Sequence, residues 1–317
     1  MVVEGRMPRK GHALAHGAFT IINGIATGKG GACGVGLRLV ASFELQPVPG
    51  RVDFRAAGGD AGAGSDDRLA RACARRLLTT AGVADRWGAR ITTASEIPPA
   101  RGLKSSSAAA NAILLAGARA LGIEMEPLDI VQLGVDAAIE AGVTLTGAFD
   151  DAVATMFGGA VLTDNIGRRV VSWAEVPDGL EVLFLVPERR IEKQTLRRGD
   201  FAVAREEVAR AFALAASGDV AQAITLNGRA YAPIVGVDNT PADRALAAGA
   251  WAAGMTGTGP AIAVLVAAEE REAVLAVLAP FQGRVLRTRP NRSPASIITE
   301  DEFSRHVAEI SGGACHG

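Results

Sequence analysis

The stretch that most constrains this chain is Pro98-Pro99-Ala100-Arg101-Gly102-Leu103-Lys104-Ser105-Ser106-Ser107, followed at once by a strong helix former, Ala108-Ala109-Ala110-Asn111-Ala112-Ile113-Leu114-Leu115-Ala116-Gly117-Ala118-Arg119-Ala120-Leu121. A loop rich in small residues that feeds a helix presents free backbone N–H groups and the positive end of the helix dipole, a setting suited to phosphate. The serines add hydroxyl oxygens and Lys104 adds a cation. On local physics alone, a serine cap on a buried alanine-rich helix is the simpler reading. The rest of the chain decides between the two.

Composition narrows the field. With 317 residues the chain is long enough for two modest cores. A net charge of −1 and 4% aromatic residues argue against nucleic acid or an anionic membrane surface as partner. No apolar run reaches spanning length, and residues 1–10 lack a signal-peptide core, so a cytoplasmic protein is expected. Cys33, Cys73 and Cys315 lie far apart and show no metal spacing. Arginine supplies nearly all the positive charge. Lysine occurs only at Lys10, Lys29, Lys104 and Lys193, and two of these four sit in glycine- or serine-rich loops, where a compact point charge is useful.

A short strand at 19–22 runs into Gly24-Ile25-Ala26-Thr27-Gly28-Lys29. This is one residue short of a Walker A loop, and Gly30 follows where Ser or Thr is needed. A strand is expected over 33–45, and a helix capped by Ser65 is expected to end near Gly82. A helix starting at Pro127 ends at Gly142 and carries Glu140. Asp150 and Asp151 then sit together before an apolar stretch. They are read either as carboxylates stabilising a helix N-terminus or as a general base or metal ligand. The turn Asp164-Asn165-Ile166-Gly167 marks a break.

Beyond it, strands and helices mix in the α+β manner. Helices are expected over 201–216, 220–230 and 241–253, the last with Thr240 as cap and Pro241 at its first position. The glycine-rich run Gly254-Met255-Thr256-Gly257-Thr258-Gly259-Pro260 leads into an apolar strand at 261–266, and a tail helix follows residue 300. The charged segment at 189–198 reads as a solvated face or as a pocket for an anionic substrate. Lys193, Arg197 and Arg198 are its candidate cations by composition alone.

Three loops together resemble the GHMP kinase superfamily, small-molecule kinases without a Walker loop. The phosphate motif matches at Pro98, Gly102, Leu103, Ser105 and Ser106, and Thr256-Gly257-Thr258-Gly259-Pro260 resembles the late glycine-rich motif. Asp151 stands seven residues before Gly158-Gly159, and Glu140 stands eleven before Asp151. Within the superfamily the chain is most similar to the archaeal-type shikimate kinases. The likeness rests on the wording of residues 20–30 and 140–152 and on Lys104, where the wider superfamily has a small residue. The resemblance spans residues 17–266. Residues 1–16 fall outside it as a leader, and a start at Met1 or at Met7 stays open.

The resemblance implies a two-domain α+β fold with mixed sheets and helices and with ligands in the cleft between domains. The expected parts are residues 1–166, then a ferredoxin-like 167–300, then a tail at 301–317. It implies transfer of the γ-phosphoryl group of ATP to the 3-hydroxyl of shikimate. Pro98, Gly102, Leu103, Lys104, Ser105, Ser106, Ser107, Gly257, Thr258 and Gly259 would hold the nucleotide, and Ser106 and Glu140 would hold Mg²⁺. Asp151 would be the base, with Asp150 as its rival. Lys29 would neutralise charge near the transferring group or favour the ionised form of Asp151. Another GHMP kinase, such as a homoserine kinase, or a non-catalytic sensor of the same fold are the alternatives. Oligomeric state is not legible, and a homodimer stays open.

Overall fold

The computed structural model describes residues 8–57, 67–189, 191 and 196–312. Two long strands, β1 (Lys10–Ile22) and β2 (Lys29–Gln46), form the spine of the first sheet. They pair antiparallel through the loop at 23–28, with register shifts near Gly17 and Ile21. Next come β3 (Val52–Ala57), α1 (Arg68–Thr80) and β4 (Gly88–Ser95). Here α1 is the crossover that lets β3 and β4 lie parallel. Three helices follow: α2 (Ser105–Leu121), α3 (Pro127–Glu140) and α4 (Phe149–Phe157). The hairpin of β5 (Ala160–Asp164) and β6 (Arg169–Ala174) pairs with the first residues of β2.

The second sheet contains β7 (Glu181–Val186), and a 3₁₀ turn at Arg198–Ala204 leads to α5 (Arg205–Ala216), α6 (Val220–Tyr231) and α7 (Thr240–Ala247). It is completed by β8 (Ala252–Met255), β9 (Ile262–Val266), α8 (Arg271–Leu278) and β10 (Arg284–Thr288). The strand order is β10-β7-β9-β8, all antiparallel, which is the split βαβ arrangement. Both β7 and β9 are buried along their whole length, and β9 and the part of β7 after Glu181 read as continuous apolar runs for that reason.

The chain then returns to the first sheet. β11 (Ser296–Ile298) adds to the free edge of β1, and α9 (Glu300–Gly312) follows. Phe303, Val307 and Ile310, at helical spacing, cover Val40 and Ala94, while Leu39 and Ala41, the neighbours of Val40 in β2, belong to the larger core. Strand alternation therefore places α9 on the face of the sheet opposite the main helices.

Several expectations are corrected here. The first strand begins at Lys10, so residues 10–16, expected to lie outside the fold, are part of β1 between β11 and β2; His12 stacks on Phe303 at 4.8 Å. The division expected at 166/167 falls within the turn of the β5–β6 hairpin, because the nearest partner for the backbone groups of β6 is β5 itself. Likewise the segment from 296 onward belongs with the first sheet. The helix expected over 241–253 stops at Ala247. Ala252 and Ala253 are helix formers by composition, yet residues 252–255 pair with β9, and burial in the sheet overrides propensity. Ser65, expected as the cap of α1, lies outside the described residues.

Candidate active site

Lys104 occupies the cap position of α2 in a left-handed conformation, φ 65°, and no side chain caps this helix. The serines are therefore not spent as caps. Ser105, Ser106 and Ser107 form the half-buried first turn, whose N–H groups have no acceptor within the helix. The loop before it is anchored by Pro98 and Leu103, both buried, and the Leu103 carbonyl accepts from Ala18 N at 3.4 Å.

The late glycine-rich loop lies directly against this one. Gly102 has φ 89°, and a Cβ there would stand 2.1 Å from the carbonyl oxygen of Thr256; a Cβ on Gly257 would stand 2.9 Å from Gly102 Cα. Only glycine allows that approach. Thr256 Oγ1 donates to Gly102 O at 2.9 Å and accepts from Thr20 N at the same distance. Thr258 is buried, and Gly259 turns at φ 76°. The loop also leans on the 23–28 loop through Asn23, whose Nδ2 donates to Gly257 O at 2.7 Å.

The paired acids open α4. Gly147 and Ala148, both left-handed, turn the chain into the helix, and the helix N-terminus favours negative charge at both positions. Their surroundings differ. Asp151 Oδ1 lies 2.9 Å from Lys104 Nζ, in an ion pair whose side chains are 10% and 6% exposed. The directed hydrogen bond of that ammonium goes to Thr20 Oγ1, 2.5 Å away. Asp150 points elsewhere. Its Oδ1 accepts from Asn165 Nδ2 at 2.9 Å, its backbone N–H donates to Asn165 Oδ1 at 3.0 Å, and its Oδ2 would stand 2.5 Å from a Cβ at Gly30, so that position needs glycine. Burial, and next the charge of Asp151, push the Asp150 carboxyl up to about 7, against the pull of Lys104 and Asn165. Two adjacent carboxyls are thus held apart, one as a paired carboxylate and one inclined to keep its proton.

A family model for the GHMP kinases N terminal domain matches residues 68–159, the span from α1 through the paired acids. The shikimate kinase of Methanothrix thermoacetophila is 38% identical over 299 residues, covering 94% of this chain and 100% of that one. The shikimate kinase of Methanosarcina mazei is 40% identical over 295 residues, covering 91% and 97%. The chain belongs to the archaeal-type shikimate kinases of the GHMP kinase superfamily. The fold agrees: a homoserine kinase from Cytophaga hutchinsonii superimposes with a TM-score of 0.70 at 19% identity, covering 92% of this chain and 98% of that one. The L. major mevalonate kinase superimposes with a TM-score of 0.71 at 15% identity, covering 92% and 100%.

In this shikimate kinase family member, two expected site residues stand apart from the cluster. Lys29 is exposed at the start of β2, with its ammonium over the Phe212 ring of α5, 5.4 Å from the centroid. Lys104, not Lys29, is the cation on Asp151. Glu140 ends α3 and pairs with Arg75 and with Arg76, the latter at 2.8 Å, both on α1. Its carboxylate is committed to two guanidinium groups, and among the described residues no cluster of three or more acidic, His or Cys side chains forms a metal cage. Lys193 lies outside the described residues; Arg197 and Arg198 begin the 3₁₀ turn.

Three residues of the site escape sequence reasoning. Thr20 looks like part of an apolar strand, although a hydroxyl between Phe19 and Ile21 is itself a signal. Asn165 reads as a turn residue. Tyr231, the only tyrosine, accepts from Ala26 N at 3.1 Å and donates to Asn23 O at 2.8 Å, pinning the 23–28 loop to α6.

Proposed function

We infer that the chain transfers the γ-phosphoryl group of ATP to the 3-hydroxyl of shikimate, with Asp151 as the residue that orients the hydroxyl and takes its proton. The observation that carries the assignment of Asp151 is its ion pair with Lys104 at the point where the serine loop, α4 and the late glycine loop meet. Phosphoryl transfer needs position and charge neutralisation more than covalent help. The free N–H groups at the start of α2 and the backbone of Gly257 to Gly259 would receive the nucleotide phosphates. Lys104 holds Asp151 in a directed ion pair, and afterwards offsets charge as the hydroxyl proton moves onto the carboxylate. Asp150, locked by Asn165, is a support of α4 in this reading.

Magnesium bound with ATP would need hard oxygen donors and would supply charge neutralisation at the phosphates. The half-buried Ser106 hydroxyl suits it. Glu140, with its carboxylate on Arg75 and Arg76, does not fit as it stands.

The test is ADP release coupled to NADH oxidation, with shikimate, homoserine and mevalonate offered as acceptors. Turnover with shikimate alone is expected. ATP binding without turnover of any acceptor would overturn the reading. Asp151→Asn should lower kcat by about 10³-fold or more, the scale of losing a base together with its orientation, while Asp150→Asn retains most of it. The reverse ranking would move the base to Asp150.

A further inference from the structure

We propose that Thr20 is a positioning residue for the base: its hydroxyl sets the Lys104 ammonium against Asp151 and ties that pair to the late glycine loop. The inference rests on the reading of Asp151 as the base. Thr20 is 1% exposed, in the middle of an otherwise apolar strand end. Its oxygen accepts from Lys104 Nζ at 2.5 Å and from Gly257 N at 2.8 Å. A hydroxyl has two acceptor lone pairs, and both are used. Its own backbone N–H goes to Thr256 Oγ1 at 2.9 Å, so the residue is bonded to the glycine loop at two points.

The consequence is mechanical. A lysine ammonium ends a stem of four flexible bonds, and an ion pair alone has weak directionality. The left-handed backbone at Lys104, φ 65°, aims the stem toward Asp151 but leaves the torsions of its far end free. The aligned bond to Thr20 selects one stem conformation, in which Nζ stands 2.9 Å from Asp151. The same oxygen holds Gly257, so the position of the base and that of the glycine loop are not independent. A change in the loop when phosphates arrive would be felt at Asp151 through one oxygen atom, over two hydrogen bonds and an ion pair.

Three variants test this: Thr20→Val, which keeps the shape and removes the oxygen, Thr20→Ser, which keeps the oxygen, and Lys104→Met. Thr20→Val should lower kcat by about tenfold, the cost of a charge-assisted hydrogen bond, with KM for shikimate changed less than about twofold. Thr20→Ser should restore kcat to near the wild-type value. In the Lys104→Met background, Thr20→Val should cost little further, because residues acting through one another are not additive. A wild-type kcat in Thr20→Val, a Thr20→Ser as slow as Thr20→Val, or fully additive losses would each overturn the proposal. Unimpaired turnover by Asp151→Asn would instead remove the underlying reading, whatever the Thr20 variants do.

Discussion

Asp150→Asn isolates the electrostatics of the paired acids from catalysis. Asp150 is 4% exposed, and its carboxyl is pushed from 3.8 up to about 7, by burial first and by Asp151 second. The folded value lies above the unfolded one, so between about pH 4 and pH 7 the native state binds more protons than the unfolded chain. The stability contributed by the neutral carboxyl is present in full below the unfolded value and is lost as pH rises through the folded one. A displacement of this size corresponds to about 4 kcal/mol between the two ends of the window. For a chain of 317 residues this is about 6 °C in Tm, using about 2 cal/mol/K of unfolding entropy per residue. Asparagine has the same shape, keeps an oxygen for Asn165 Nδ2, and carries no charge at any of these pH values. Melting followed by circular dichroism from pH 5 to pH 8.5 should therefore show the variant gaining on the wild type as pH rises, by several degrees at the upper end. Parallel curves for the two proteins would refute the placement of Asp150 as a buried, destabilised carboxylate.

The close approach of the two glycine loops gives a second expectation: Gly102→Ala puts a methyl group 2.1 Å from the Thr256 carbonyl and demands φ 89° of an alanine. Fluorescence titration should show ATP binding weakened by about tenfold or more, for a cost of 1–3 kcal/mol, and unchanged affinity would mean that the loops part freely. Tyr231→Phe removes one hydroxyl and leaves Ala26 N without its acceptor in a buried setting. Urea unfolding should then register a loss of about 1–3 kcal/mol, and a loss below about 0.5 kcal/mol would show that the 23–28 loop does not depend on α6.

Much of the fold was legible because its signals are local. The serine loop and its helix, the helix from Pro127 to Gly142 and the buried strands β7 and β9 follow from caps, glycine stops and apolar runs. The errors fall where distant partners decide. Ala252, Ala253 and their neighbours would extend a helix in isolation, but β9 offers a ladder. Residues 10–16 resemble no motif, yet the pairing with β2 makes them strand and Gly11, His12, Ala13 and Ala15 are buried. The apolar stripe of α9 is visible at 303, 307 and 310, but nothing nearby in sequence says which sheet face it covers.

The site divides in the same way. The sequence by itself determined that a lysine follows Gly-Leu in a serine-rich loop, that two acids open a later helix, and that a second glycine-rich turn lies far downstream. These are short-range patterns, and their order and spacing place the chain in its family. Only the tertiary structure decided which lysine meets which acid. Lys29 has the more familiar glycine-flanked setting, but it begins β2 on the side facing Phe212, whereas the left-handed turn at Lys104 delivers its ammonium to Asp151 and Thr20. Direction at a strand end or a helix cap is set by the backbone around it, and a charge buried that deeply must find its partner within bonding distance. Sequence spacing carries neither quantity.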